Sequence, residues 1–427
     1  MTGATIVATR SPNGAAHAPP ANMLPLDQHA VRFSLTTRQV PLDAMVGIVP
    51  LVGKPRVGQL VVAEVLKVGK NETLEDRTGL SGRIFAGDRI VGAFGNRYAT
   101  HQFEGYVPGR PTSRCDLLSV GGVCGNVTSR HDGVKPPTRL RVLGLVSDQH
   151  GEVVSQCSFG LEHLRDEPAG EVILVVGASM DSGKTTVAGL LTRALSRAGL
   201  RVAAAKVTGT AASKDSRFYV SCGARPVLDF VDAGYPSTYL LDPDEISRVQ
   251  QVLLSQLRAT RPDYIVLEIA DGILQRETRM LLADPAFRAQ IDHVIFTAGD
   301  SLAVESGVRH LRELGLPLRA VSGLLTRSPL GMREAEEATG VPCLATADLE
   351  AGAAFELLGT NRLLRSRALN LDGPATPPEG VAGPSASSPG RTDHEVTDHR
   401  ATRNGAARNG AARNGKTDAR EAALLPR

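Results

Sequence analysis

The sequence contains few cysteines, and they are not arranged in pairs. Five cysteines are scattered over 427 residues, with no Cys-x-x-Cys motif among them. An odd and dispersed set is typical of reduced thiols, not of a disulfide framework. Cys115 and Cys124, with His101 and His131 nearby, match no standard zinc spacing. The cysteines therefore favour reduced thiols in a cytoplasmic protein over a disulfide scaffold or a zinc site.

Long apolar runs and blocks of like charge are also missing. No stretch approaches the ~20 apolar residues of a membrane-spanning helix, and residues 1–22 lack the continuous apolar core of a signal peptide. The formal net charge is +3, without a long basic block. Composition therefore indicates neither nucleic acid nor a membrane as a partner. We expect a cytoplasmic protein that acts on a small molecule.

Lysine is scarce, and its distribution is uneven. The chain has eight lysines against 40 arginines, and three of the lysines lie between positions 184 and 214. Abundant Arg, Ala and Gly suggest a GC-rich bacterial genome, in which Arg tends to replace Lys. An ammonium group is not interchangeable with a guanidinium at a phosphate or nucleophile site. The cluster of lysines therefore supports a functional site in this part of the chain.

Four segments of different composition follow one another along the chain. Residues 1–28 are rich in Ala, Pro and Asn and predict a disordered segment. Residues 29–165 contain short apolar runs broken by Gly and Pro and predict a small all-β, barrel-like domain, in which the loop at 95–106 is a candidate substrate or interdomain loop. Residues 170–371 predict an α/β domain, and 372–427 a disordered low-complexity tail.

Residues 170–371 alternate apolar runs with amphipathic helices. The helix expected at 242–260 has Asp242 as N-cap, Pro243 at its first position and Glu245 at its third, which is a capping box. Buried-type strands are expected at 171–176, 201–206, 263–268, 293–298 and 319–325. This alternation implies a doubly wound, mostly parallel sheet with helices on both faces, in which ligands bind at the carboxyl ends of the strands.

The segment VVGASMDSGKTT, at 175–186, fits a phosphate-binding loop. Its residues 178–185 match the pattern Ala/Gly-x-x-x-x-Gly-Lys-Ser/Thr between an expected strand and an expected helix. In such a loop, backbone N–H groups surround the phosphates, the lysine neutralises them and the hydroxyl ligates Mg²⁺. Asp181 would repel bare phosphate, so its carboxylate is expected to face a metal, another cation or the acceptor. The predicted nucleotide-binding residues are Gly177, Ala178, Ser179, Met180, Asp181, Ser182, Gly183, Lys184, Thr185 and Thr186.

Two further strand ends carry polar side chains. Glu268 ends an apolar strand and is followed by Asp271, and a carboxylate in that place is costly unless it meets a cation such as Mg²⁺; the alternative for both is a structural salt bridge. Lys206 ends another strand, before Thr208, and Asp215 is a second candidate metal ligand. The predicted catalytic residues are Lys184, Lys206, Asp215 and Glu268, the substrate residues are Thr208, Gly209 and Asp271, and the metal ligands are Thr185, Asp215 and Glu268.

These motifs resemble the dethiobiotin synthetase-like branch of P-loop proteins. In that enzyme a Gly-Thr-Asp-x-x-x-Gly-Lys-Thr loop, a Lys-Pro-x-x-(Ser/Thr)-Gly strand end and a Glu-Gly-Ala-Gly segment occupy the matching places. The likeness covers about residues 171–350. It implies that Lys184 binds phosphate, that Thr185, Asp215 and Glu268 bind Mg²⁺, and that Lys206 faces the acceptor. A homodimer is the oligomer that the resemblance suggests.

Two other families share part of the pattern. The segment KDSRFYVSCGA, at 214–224, resembles a Gly-Lys-Asp-Ser…Ala-Gly-Ala segment in the GTP-binding accessory protein of molybdopterin-guanine dinucleotide synthesis. The loop also resembles that of a P-loop family which includes a D-glutamate N-acetyltransferase. Val207 stands where the synthetase has proline, and 269–271 replace its Gly-Ala-Gly. The synthetase's diamine substrate is therefore not expected here.

Three functions follow as hypotheses. The first is an ATP- and Mg²⁺-dependent, ligase-type enzyme that passes the γ-phosphoryl group to a carboxylate- or carbamate-like acceptor held by Lys206 and Thr208. The second is a nucleotide-binding accessory protein of cofactor biosynthesis, and the third is an acyl-CoA-dependent N-acyltransferase. The sequence lacks a clear Asn-Lys-x-Asp signature for guanine. ATP is therefore favoured over GTP, with the segment at 322–329 expected near the base.

Overall fold

The computed structural model describes residues 22–165, 169–361 and 363–364. The tail predicted at 372–427 lies outside these residues, as does 1–21 of the predicted disordered segment. The remainder of that prediction is wrong, because Leu24–Pro25 pairs with Gly47–Val49 and Leu26 is buried in an apolar cluster. None of the helices in the described ranges combines the length and the apolar composition needed to cross a membrane.

Eleven strands lie in the described residues up to 147. They are β1 (Leu24–Pro25), β2 (Arg32–Phe33), β3 (Gly47–Val49), β4 (Leu60–Lys67), β5 (Thr73–Glu75), β6 (Ser81–Arg83), β7 (Arg89–Phe94), β8 (Phe103–Tyr106), β9 (Arg114–Leu117), β10 (Val123–Arg130) and β11 (Thr138–Ser147). Three 3₁₀ turns accompany them, at Leu35–Thr37, Leu42–Ala44 and Gln156–Phe159. Strands β11, β4, β7, β10 and β9 pair in this order, and β9 pairs again with β11. These five strands therefore close a ring, which is the arrangement of a small barrel.

Strand β4 of this ring is covered on both of its faces. Val61, Ala63 and Val65 lie in one apolar cluster, whereas Leu60 and Val62 lie in a second cluster on the other side of the strand. Side chains alternate between the two faces of a strand. Because both faces of β4 are covered, its sequence is apolar at almost every position.

Strands and helices alternate in the described residues from 169 onwards. The strands are β12 (Glu171–Gly177), β13 (Val202–Lys206), β14 (Val227–Asp229), β15 (Tyr264–Glu268), β16 (His293–Thr297) and β17 (Leu318–Ser322). The helices are α1 (Lys184–Arg197), α2 (Lys214–Ser221), α3 (Pro243–Arg258), α4 (Arg276–Ala283), α5 (Pro285–Arg288), α6 (Ser301–Glu313), α7 (Pro329–Thr339), α8 (Thr346–Glu350) and α9 (Ala354–Leu357). The strands form one sheet in the order β14-β13-β15-β12-β16-β17, and every pair is parallel. The predicted parallel sheet is confirmed.

Helices cover both faces of this sheet. Along β12, Val172 and Leu174 lie in an apolar cluster that includes residues of α3, α4 and α6, whereas Ile173 and Val175 lie in a second cluster that includes residues of α1. The carboxyl ends of all six strands meet at one edge, because the strands are parallel. The sheet is doubly wound, as the sequence predicts.

Helix α3 begins with the predicted capping box. The Asp242 carboxylate accepts the N–H of Glu245 at 2.9 Å, and the Glu245 carboxylate accepts the N–H of Asp242 at 3.1 Å. Both interactions satisfy N–H groups that have no partner within the helix. The start of this helix is therefore determined by local sequence.

The strand predicted at 319–325 is too long at its carboxyl end. Strand β17 ends at Ser322, Gly323 has a φ of +96°, and Leu324–Arg327 form a 3₁₀ turn. The Leu324 N–H donates to the Ser182 carbonyl at 3.1 Å. A contact between distant segments ends the strand, so the apolar pattern alone overestimated its length.

The barrel and the parallel sheet lie in one compact unit. Arg38 reaches from the barrel to Asp229 and Asp232, at 2.5 Å and 2.6 Å, and all three side chains are largely buried. The Ser213 N–H, just before α2, donates to the Glu75 carboxylate of β5 at 2.7 Å. These contacts place residues of the barrel part against the edge of the sheet where strands β13 and β14 end. The domain boundaries at 29–165 and 170–371 stay predictions.

Candidate functional site

Two glycines shape the loop between β12 and α1. Gly183 has a φ of +102°, and a Cβ atom there would lie 3.0 Å from the Gly323 Cα. A Cβ atom on Gly177 would collide with the Ser182 hydroxyl. Glycine avoids the backbone strain at 183 and the side-chain collision at 177. The two glycines therefore allow the loop to fold back tightly before the helix begins.

Lys184 and Thr185 open helix α1 at this loop. The Lys184 ammonium donates to the Ser179 carbonyl at 2.7 Å, so it spans the loop. Burial lowers the pKa of Lys184, and the nearby carboxylates of Glu268 and Asp271 oppose that change. The first N–H groups of a helix have no partner within it and carry the positive end of the helix dipole. A positive lysine beside them suits a phosphate group.

Lys206 connects two carboxylates at the edge of the sheet. It lies opposite Glu268 in the pairing of β13 with β15. Its ammonium bonds to the Asp215 carboxylate and lies 3.6 Å from Oε1 of Glu268. Burial disfavours the charge on Lys206, but Glu268 and Asp215 outweigh that effect and raise its pKa. The ammonium therefore stays charged at neutral pH.

Glu268 receives hydrogen bonds on both of its oxygens. Thr185 Oγ1 donates to Oε1 at 3.1 Å, and the Tyr219 hydroxyl donates to Oε2. Burial raises the pKa of Glu268, and the lysines at 206 and 184 counteract it. Tyr219 is not among the predicted site residues. The signal was its position four residues after Asp215 in α2, which places both on one helical face.

The segment after β15 lies against the phosphate-binding loop. The Ile273 N–H donates to the Gly177 carbonyl at 2.9 Å. Asp271 has a φ of +61°, and burial raises its pKa. Thr208 is buried, and its hydroxyl accepts the Ala270 N–H at 2.9 Å. Thr208 therefore supports this segment from behind, whereas Asp271 faces the site.

A loop of the barrel reaches the phosphate-binding loop from the other side. His101 Nδ1 lies 2.6 Å from Oδ2 of Asp181, and the Thr100 hydroxyl lies 3.8 Å from the Met180 sulfur. Asp181 has a φ of +60°. The mid-loop carboxylate thus contacts an imidazole of the barrel.

These elements surround a cavity of about 830 Å³. That volume is within the usual range of small-molecule sites. Predicted site residues on its wall are Met180, Asp181, Gly183, Lys184, Thr185, Thr186, Lys206, Gly209, Asp215, Glu268 and Asp271. The other predicted residues, Gly177, Ala178, Ser179, Ser182 and Thr208, are not among the residues that line it. The sheet edge therefore brings together most of the residues that the sequence analysis selected.

The barrel contributes Arg97 and Tyr98 to the same cavity. The Arg97 guanidinium donates to the Leu118 carbonyl and, at 2.8 Å, to the Gln102 side chain. Burial lowers the pKa of Arg97 to about 10, while Asp271 acts in the opposite direction. The predicted site residues include neither side chain, although both belong to the candidate loop at 95–106.

Two oxygen-bearing side chains at the cavity wall, Thr185 and Glu268, fit a magnesium ion that is also bound by a phosphate. Among residues 22–165, 169–361 and 363–364, no group of three or more His, Cys, Asp and Glu is arranged to hold a metal. Thr185 and Glu268 provide a hydroxyl and a carboxylate 3.1 Å apart. Mg²⁺ typically takes one or two such protein ligands and completes its shell with phosphate and water. The site fits that use of Mg²⁺.

No family model and no curated protein matches the sequence. Among solved structures, the chain is similar to the signal recognition particle 54 kDa protein of Aeropyrum pernix K1 in complex with GDP, at 17% identity and a TM-score of 0.32, over 49% of this chain and 51% of that one. It is also similar to the kinase domain of the Escherichia coli tyrosine kinase ETK, at 13% identity and a TM-score of 0.27, over 36% of this chain and 66% of that one. The chain thus spans about half the length of the first structure. Likenesses of this size carry no functional argument, and the resemblance to dethiobiotin synthetase stays a prediction.

Proposed function

We propose that the protein is an ATP- and Mg²⁺-dependent enzyme of the ligase type. It transfers the γ-phosphoryl group of ATP to a carboxylate- or carbamate-like small molecule and thereby activates it. The observation that carries this proposal is the convergence of Lys184, Thr185, Lys206 and Glu268 on one wall of the 830 Å³ cavity.

The phosphate side of the site consists of α1 and its loop. Lys184 and the first N–H groups of the helix bind the phosphates. Thr185 and Glu268 are the ligands for Mg²⁺, which when bound neutralises phosphate charge. Because Lys184 is buried, its charge acts in a medium that screens it weakly.

The acceptor side consists of Lys206, Asp271 and the barrel loop. Lys206 and Arg97 are cations that attract an anionic acceptor, and both line the cavity. Phosphoryl transfer depends mainly on positioning and charge neutralisation. Residues of the barrel and of the parallel sheet line the cavity together. The site can therefore position the two substrates and neutralise their charge.

The test is ADP release by the full chain with ATP and Mg²⁺, in the presence and absence of a panel of small carboxylic and amino acids. We expect ADP release that depends on one acid and is stoichiometric with its consumption. Tight GTP binding with negligible turnover would contradict the proposal and favour the accessory-protein hypothesis. Binding of acetyl-CoA in place of ATP, with an N-acylated product, would contradict it as well.

A further inference from the structure

A second cavity adjoins the first where the barrel meets the sheet. Its volume is about 660 Å³, and Arg97, Gln102, Thr210 and Lys214 line both cavities. Most of the rest of its wall comes from residues in and around β5 and from the segment before β11. The two cavities are therefore neighbours that share these four residues.

Lysine is concentrated at the walls of these two cavities. Five of the eight lysines in the chain line one or both cavities, and they are Lys70, Lys135, Lys184, Lys206 and Lys214. The chain carries 40 arginines, so positive charge is elsewhere supplied mainly by guanidinium groups. An ammonium group is a compact charge on a flexible stem with three donors. Its selective use here indicates recognition of an anion.

Positive charge exceeds negative charge in the second cavity. Its cations are Arg97 and the lysines at 70, 135 and 214, against two carboxylates, Glu72 and Glu75. Glu72 is paired with Lys135 at 3.2 Å, and Glu75 accepts the Ser213 N–H at 2.7 Å. Burial raises the pKa of Glu75 despite that hydrogen bond. The carboxylates therefore compensate only part of the positive charge.

One of these cations is available to a ligand, and a second has a buried donor without a partner. Within the described residues, Lys214 forms no salt bridge, although it lines both cavities. The Arg97 Nε is buried and has no hydrogen-bond partner in the same part of the chain. Buried donors without a partner are rare, and each needs an explanation. Both groups lie where the two cavities meet.

We propose that the second cavity holds the far end of the acceptor, and that the acceptor is a small molecule with at least two carboxylate groups. One carboxylate lies near Lys206 and Arg97, where it receives the phosphoryl group. Another is bound at the barrel by Lys70 and by Lys135, whose ammonium has three donors and keeps its contact with Glu72. The inference rests on the proposed function, because it makes the second cavity part of the same site.

The experiment is calorimetric titration of the full chain, without nucleotide and at constant ionic strength, with succinate, glutarate and tricarballylate. The wild type is compared with Lys70→Gln/Lys135→Gln. The control is Lys54→Gln/Lys67→Gln, which makes the same change in charge at two exposed lysines of the barrel that line neither cavity. We expect the first pair to weaken the Kd of the best probe about tenfold, because charge-assisted hydrogen bonds are lost. The control pair should change it by less than about twofold.

Three outcomes overturn the inference. They are absence of binding of all three carboxylates to the wild type, an equal effect of both double variants, and no effect of either. A fourth outcome concerns the chemical class of the ligand. If inorganic pyrophosphate, added with saturating ATP, binds in a manner that depends on Lys70 and Lys135 while the carboxylates do not, the ligand is a phosphate compound and the carboxylate assignment is wrong.

The same samples are titrated with ATP and Mg²⁺, which separates this inference from the proposed function. If the wild type fails to bind ATP, the proposed function fails while the carboxylate comparison still stands. If ATP binds and the carboxylates do not, only the inference fails. Both are supported when Lys70→Gln/Lys135→Gln keeps its affinity for ATP and loses affinity for the carboxylates.

Discussion

Single residues at the sheet edge form a set of mutually compensating charges. Lys206 bonds to Asp215 and lies 3.6 Å from Glu268, and Thr185 and Tyr219 donate to the same glutamate. Each buried charge is tolerated because an opposite charge or a donor faces it. Removal of one member leaves the others uncompensated.

We therefore expect Lys206→Met to destabilise the protein. Methionine has a similar volume and no charge, so Asp215 and Glu268 would face each other without the ammonium between them. Breaking a buried ion pair costs about 3–5 kcal/mol in free energy of unfolding. Urea denaturation measures the loss. The control is Lys206→Met/Asp215→Asn, which should recover part of the stability; no loss in the single variant would show that the ammonium does not hold the carboxylates.

Lys184 and Glu268 have separable roles. Lys184→Ala should weaken ATP binding about 100-fold, because a charge-assisted contact to phosphate is lost. Glu268→Gln should keep ATP binding and lower Mg²⁺-dependent turnover about 100-fold, because a metal ligand is weakened. Titration calorimetry and ADP release measure the two effects. Lys67→Ala, at an exposed lysine of β4, is the control, and normal ATP binding by Lys184→Ala would disprove the loop assignment.

At the scale of elements, the barrel loop touches the loop between β12 and α1 at two places, His101 on Asp181 and Thr100 on Met180. His101 and Asp181 are both exposed, with 55% and 68% of their side-chain surface accessible. Exposed pairs are weak and are screened by salt. The pair therefore contributes little to holding the two elements together.

Under the proposed function, substitutions of Asp181 and His101 should change the affinity for ATP in opposite directions. Asp181→Asn should tighten ATP binding, because it removes a negative charge beside the phosphates. His101→Ala should weaken it, because the carboxylate loses its neighbouring imidazole. Both changes should be below about fivefold and should shrink at high salt. Calorimetry at low and high ionic strength checks them, and changes of the same sign would exclude an electrostatic origin.

At the scale of the whole molecule, Arg38 joins the barrel to the parallel sheet. Its guanidinium contacts Asp229 and Asp232, and Gln39 also donates to Asp232, at 2.7 Å. Burial raises the pKa of Asp232 to about 6 from its usual value of 3.8, although Arg38 opposes the rise. The folded protein therefore binds a proton here more tightly than the unfolded chain does. The contribution of this carboxyl to stability falls as the pH rises from about 4 to about 6.

Arg38→Met should lower the free energy of unfolding by about 3–5 kcal/mol at pH 7.5, because two carboxylates lose their buried partner. The loss should be smaller at pH 5. Because the pKa of Asp232 is about 6, this carboxyl is already largely protonated at pH 5, and the arginine compensates less negative charge there. Urea denaturation at both pH values measures the difference. Arg83→Met, at an exposed arginine of the barrel, is the control, and an equal loss at both pH values would contradict the argument.

Local sequence was sufficient to predict the ends of some helices and strands and insufficient for others. The capping box at Asp242 was predictable, because it involves residues three positions apart. The end of β17 was not, because Gly323 and Leu324 meet Ser182, which lies far away in the chain. Hydrophobic patterns report burial but not which distant segment causes it.

The sequence by itself determined the glycine-rich loop between β12 and α1 and the edge of the sheet where the polar residues meet. Lys184, Lys206 and Glu268 were identifiable because each follows or ends an apolar strand, and parallel strands present their carboxyl ends at one edge. Tertiary structure decided what those residues contact. Packing of the barrel against the sheet placed Arg97 and Tyr98 in the cavity and created the second cavity with its lysines. The neighbouring ends of β13 and β15 directed Thr208 to the Ala270 N–H. The physical reason is range: periodicity and capping act over a few residues, whereas the opposite wall of the site comes from a segment about 100 residues away in the chain.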